Sequence, residues 1–70
     1  MADIIYCITL YKKSNLGLTP RFNDIYDDYD EANHLYEYFK FGLLPGEKIE
    51  LRQSFRGEEP QTLRSYTRKV

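Results

Sequence analysis

Seventy residues, 41% hydrophobic and 30% charged with a formal charge of −1, describe one soluble globular domain over residues 1–70. A chain this short buries only about 60% of its unfolded surface, so the core is thin and a second domain does not fit. One cysteine, Cys7, excludes an internal disulfide, and a single histidine, His34, leaves no ligand set for a self-contained zinc site.

Ile4 to Tyr11 is the first expected strand, rich in β-branched and aromatic residues. Ile4, Tyr6, Ile8 and Leu10 fall on one face; Ile5, Cys7, Thr9 and Tyr11 fall on the other. Apolar residues on both faces predict a central strand. Lys12 to Gly17 carries turn chemistry, with Asn15 and Gly17 suited to positive φ. Leu18 to Tyr26 follows as a weaker strand, antiparallel to the first. Pro20 has no N–H to donate, so that strand is expected at an edge, or bulged at the proline.

Asp28-Tyr29-Asp30-Glu31 has the spacing of a capping box, so a helix is expected to begin there. Asp27 and Asp30 add negative charge at the positive end of its dipole. Tyr29, Ala32, Leu35, Tyr36 and Phe39 then recur as one apolar stripe. Gly42 stands at the expected C′ position, Leu43 is placed to fold back, and Pro45-Gly46 stops the helix. Glu47 to Phe55 alternates cleanly, with Ile49, Leu51, Gln53 and Phe55 inward. Lys48, Glu50, Arg52 and Ser54 are expected to face solvent. Arg56 to Pro60 is a turn. Gln61 to Val70 is a poorly patterned edge strand or frayed tail carrying Leu63, Tyr66 and Val70. The order β-β-α-β-β predicts the α+β class: an antiparallel sheet of three to four strands with one helix packed on one face.

Chemistry-bearing motifs are sparse. The chain has no dinucleotide fingerprint, phosphate-binding loop, nucleophile elbow or H-E-x-x-H, so no enzyme and no cofactor are expected. Cys7 lies in an apolar run that favours an inert thiol. Glu31-x-x-His34 has the spacing of a di-iron half-site, but such bundles draw ligands from four helices and this chain offers one. Seven tyrosines and four phenylalanines argue against disorder. No apolar run approaches the ~18 residues of a membrane span, and MADIIYCITLYKK lacks the marks of a signal peptide, so the expected location is cytoplasmic.

Charge is distributed unevenly. Residues 1–38 hold three basic side chains against seven acidic ones, and residues 39–70 hold seven against four. The halves either neutralise each other in the fold or present a charged binding surface. Two constellations stand out. Asp24, Tyr26, Asp27, Asp28, Tyr29, Asp30 and Glu31 form an acidic-aromatic run suited to a basic protein surface, with carboxylates for arginines and tyrosines as rigid anchors. Arg52, Phe55, Arg56, Arg64, Tyr66, Arg68 and Lys69 form a basic-aromatic hairpin, the raw material of single-strand nucleic-acid binding. The acidic overall balance weighs against the second.

The stretch from Tyr26-Asp27-Asp28-Tyr29-Asp30-Glu31-Ala32 to Leu43-Leu44-Pro45-Gly46-Glu47-Lys48-Ile49 resembles small bacteriophage accessory proteins. Among these are anti-defence inhibitors of the anti-CRISPR kind. The likeness is one of architecture over the middle third of the chain, and no family site transfers with it. It implies a non-enzymatic inhibitor that docks on a host protein complex, such as a defence or nucleic-acid-handling machine, in the host cytoplasm. The alternatives are a nucleic-acid-binding module using the basic hairpin, or a structural subunit of a larger assembly. Self-association into a homo-oligomer is also expected to be accessible, because edge strands offer unpaired backbone groups.

Overall fold

A computed structural model describes residues 3–70 of the chain. Four strands and one helix follow in the order β1 (Ile4–Ser14), β2 (Gly17–Tyr26), α1 (Tyr29–Phe41), β3 (Lys48–Phe55) and β4 (Gln61–Thr67). The strands form one antiparallel sheet in the order β2-β1-β3-β4. β1 is central, as its two apolar faces predict, and β2 and β4 are the edges. The fold class is α+β.

β1 runs three residues past the expected end, so the first turn shrinks to Asn15 and Leu16. Gly17 alone takes positive φ, at 101°, while Asn15 keeps a negative one. That pattern is a hairpin closed by a glycine in the left-handed region, where a Cβ would be strained. Pro20 sits on the edge strand beside a bulge, where the register slips between Leu10 and Tyr11. A residue without an N–H is tolerated there.

α1 covers one face of the sheet. Ile8, Leu10, Ala32, Tyr36, Leu43, Ile49 and Leu51 form the buried core, with Tyr6, Phe22, Tyr26, Leu35 and Phe39 packed around it. Strand alternation delivers Ile8, Leu10, Ile49 and Leu51 to the same side, and the helical stripe meets them. Tyr29, at the start of that stripe, is only half-covered and meets Tyr6 edge-on at 5.5 Å. Phe22 and Phe39 lie 5.3 Å apart. Arg64 on β4 ties the helix to the far edge. Its guanidinium lies 4.3 Å from the centre of the Tyr36 ring and donates to Asn33 Oδ1 and to Glu37.

The helix end and the outward face of β3 also depart from expectation. Gly42 ends the helix without left-handed geometry, at φ −89°, and its N–H bonds the Phe39 carbonyl in a tightened last turn. The positive φ falls instead at Gly46, where the chain enters β3. Glu50 lies on the outward face of β3 as expected, but it is not solvated: only 8% of it is exposed. Tyr11 donates to its Oε1 at 2.7 Å, Arg52 donates to the same oxygen at 3.0 Å, and Lys48 lies 3.6 Å from Oε2. These three long side chains cover the carboxylate with their own apolar stems.

Candidate functional site

Strand direction decides which residues meet. β1 begins at the end of the sheet where β2 and β3 finish and the helix starts; the β3–β4 turn lies there too. Arg56 N–H bonds the Asp3 carbonyl and ties that turn to the start of β1. At the opposite end lie the β1–β2 turn, the last turn of α1, the start of β3 and the chain beyond β4. Gly46 N–H bonds the Arg68 carbonyl, and Arg68 N–H bonds the Glu47 carbonyl, closing this second end.

The charges sort by end. At the first end, Asp27, Asp28, Asp30 and Glu31 surround the helix start. Asp3 adds to them from just before β1, and Glu58 and Glu59 from the β3–β4 turn. Among the described side chains only Arg56 opposes these seven carboxylates, leaving a formal side-chain charge of −6. At the second end, Lys12, Lys13 and Arg21 come from the first hairpin and Lys40 from the helix. Lys48, Arg68 and Lys69 complete seven basic groups against Glu47 alone, a formal charge of +6. The middle band, with Arg52 and Arg64 against Asp24, Glu37 and Glu50, carries the remaining −1. The eleven residues of β1, at roughly 3.3 Å each, span most of the longest dimension of the 39 × 24 × 16 Å molecule, so it is elongated along the strands. Its radius of gyration of 12.5 Å exceeds the roughly 11 Å of a compact 70-residue chain.

Each residue of the acidic-aromatic run can now be placed. Asp28 is the N-cap, and its Oδ2 accepts from Glu31 N–H at 3.0 Å. The return bond from the Glu31 carboxylate is absent among the described residues, so only half of the expected capping box forms. Asp24 Oδ2 accepts from the Tyr26 hydroxyl at 3.1 Å, and its Oδ1 accepts from Ile25 N–H. Burial, assisted by this bond, pushes the Tyr26 hydroxyl up to about 12, so it stays a neutral donor at physiological pH. Asp27, Asp30 and Glu31 are exposed and form no ion pair among the described residues. With the exposed part of the Tyr29 ring beside them, these three carboxylates are the free functional groups of the run.

The basic-aromatic set is divided. Arg52 lies on the open face of the sheet, folded over Glu50. Arg64 and Tyr66 lie on the helix side, where Arg64 grips Glu37 and Lys40 stands 4.6 Å above the Tyr66 ring. The hydrogen bond from Arg64 holds the Glu37 carboxyl below its ordinary range. Arg68 donates to the Leu43 carbonyl at 2.6 Å at the basic end, whereas Phe55 and Arg56 lie at the acidic end. Arg52 and Arg56 are thus separated from Arg64, whereas Arg68 shares one cleft with Tyr66, Lys40 and Phe41.

Neutralisation between the two halves is limited. Arg64–Glu37 joins a basic C-terminal group to an acidic N-terminal one, and Arg21–Glu47 crosses in the opposite sense. The acidic helix start keeps its charge. Polarity between the ends was not evident from residue order, because antiparallel strands return distant segments to the same end. The order β-β-α-β-β was the signal that could have revealed it.

Among the described residues, no three His, Cys, Asp or Glu side chains converge as a metal site requires, and no helix is long and apolar enough to cross a membrane. Comparisons with protein-family models, with curated proteins and with solved structures found no match to this chain.

Proposed function

We propose that this chain is a non-enzymatic binding protein, an inhibitor or adaptor that docks through its acidic end on a basic surface of a larger protein complex. The observation that carries this reading is that Asp27, Asp30 and Glu31 are exposed and form no ion pair among the described residues, beside a half-exposed Tyr29. Carboxylates held on a rigid helix start are suited to pairing with arginines, and a tyrosine ring adds contact area at low entropic cost. Asp28 and the Tyr26–Asp24 bond position that group. A surface that otherwise holds nucleic acid has the matching charge. The resemblance to small bacteriophage accessory proteins supports a host complex as the target.

The test is affinity capture from nuclease-treated bacterial extract with the wild-type chain and with Asp27→Lys/Asp30→Lys. A stoichiometric protein complex held by the wild type and lost by the variant is expected. Equal capture by both would remove the acidic end from the mechanism. Recovery of nucleic acid alone, lost on digestion, would move the function to the basic residues.

A further inference from the structure

Both ends of the molecule carry a shallow groove with an apolar floor. At the acidic end, Ile5 and Phe55 line it beside Asp3 and Glu58, with Arg56 as the one described basic side chain. At the basic end, Leu18 and Val70 line it beside Lys13, Arg68 and Lys69. Large apolar side chains stand exposed near both: Ile25 and Tyr29 at the first, Leu44 and Phe41 at the second, Phe41 being 85% exposed. The two surfaces are thus opposite in charge, similar in apolar character, and at opposite ends of one long axis.

We infer that the basic end is a docking surface for the acidic end of a second copy of this chain, so that the protein associates head to tail. Such a contact is heterologous: it leaves one free end on each molecule and propagates unless the rotation closes a ring. The 24 × 16 Å cross-section projects to roughly 400 Å², about half of what each partner contributes to a standard interface. The association is therefore weak and relies on charge. Self-association covers the acidic end, so partner docking and oligomerisation compete for the same carboxylates. The inference shares that surface with the proposed function but stands on the charge layout alone.

Sedimentation velocity of the full chain decides the matter. At low ionic strength (~0.01 M), where the Debye length is about 30 Å, the sedimentation coefficient should rise with concentration up to ~1 mM; at ~1 M salt it should fall to the monomer value. Lys12→Glu/Lys13→Glu at one end and Asp27→Lys/Asp30→Lys at the other should each remain monomeric alone. An equimolar mixture of the two variants should associate again, because each supplies the intact end that the other lacks. A wild type that is monomeric at low salt overturns the inference. So does association that survives ~1 M salt or either variant, which would indicate edge-strand pairing. Should either variant fail to fold by circular dichroism, the wild-type salt series still decides. The Lys12→Glu/Lys13→Glu variant keeps the acidic end, so it should still capture a partner complex from extract. Loss of self-association with capture retained separates this inference from the proposed function.

Discussion

The two faces of the sheet are built from the same strands but are held by different forces. The face under α1 is closed by aliphatic and aromatic packing around Ile8, Ile49, Leu51 and Tyr36. The open face has no helix above it, and its organising group is a carboxylate. Glu50 gathers Tyr11, Arg52 and Lys48, while Cys7 and Thr9 share Asn23 Oδ1 one strand away. Apolar packing is indifferent to salt and proton concentration over ordinary ranges, whereas an ion-centred cluster is sensitive to both. Apart from the Arg64–Glu37 pair at its edge, the covered face is thus the robust one and the open face the condition-dependent one.

The largest effect should come from the covered face. Leu51→Ala removes a fully buried side chain from the centre of the sheet and should cost about 2–5 kcal/mol, close to unfolding so thin a core. Chemical denaturation read by far-ultraviolet circular dichroism measures it. A cost below that range would mean the helix is not seated on the sheet as described.

Next comes the open face. Glu50→Ala leaves the Tyr11 hydroxyl and two cations without their shared acceptor, a loss of about 1–3 kcal/mol. Glu50→Gln keeps an acceptor for Tyr11 and should cost less. Acidity sharpens the distinction. Burial raises the Glu50 carboxyl, but the Tyr11 hydrogen bond, Arg52 and Lys48 outweigh it and bring the group below its ordinary value. Its stabilisation is therefore present above the ordinary carboxylate range and lost as pH falls through the lower folded value. The gap in denaturation midpoint between wild type and Glu50→Gln should narrow between about pH 6 and pH 3. A constant gap would show that the carboxylate contributes shape and not charge.

Smaller effects test what lies outside both faces. Asp28→Ala removes the N-cap bond to Glu31 N–H and should cost about 1 kcal/mol. Asp27→Lys/Asp30→Lys should change stability least, by under about 1 kcal/mol through the helix dipole, while abolishing partner capture. Thermal melts of the two variants beside the capture experiment separate positioning from recognition at the acidic end.

Much of this architecture was legible in local pattern. Alternation in Ile4–Tyr11 and Glu47–Phe55 exposed the strands and the inward Ile49 and Leu51, though Phe55, expected inward, is 40% exposed; the Asp28 cap with the Tyr29–Phe39 stripe exposed the helix. Pro20 identified an edge. The fate of Glu50 was not legible, since alternation assigns a face but not what covers it. Nor was the face of Arg64, which the bulge in β4 pairs with Leu51 on the helix side while Arg52 of β3 faces the open side.

Sequence alone determined the α+β class, the element order and which side chains could form the core, because hydrophobic periodicity and capping are local properties of the chain. It also revealed the acidic run at the helix start. Only the tertiary structure decided which charges share a surface. Turns return segments tens of residues apart to the same end, and so a modest imbalance between the chain's halves becomes −6 facing +6 along a 39 Å molecule.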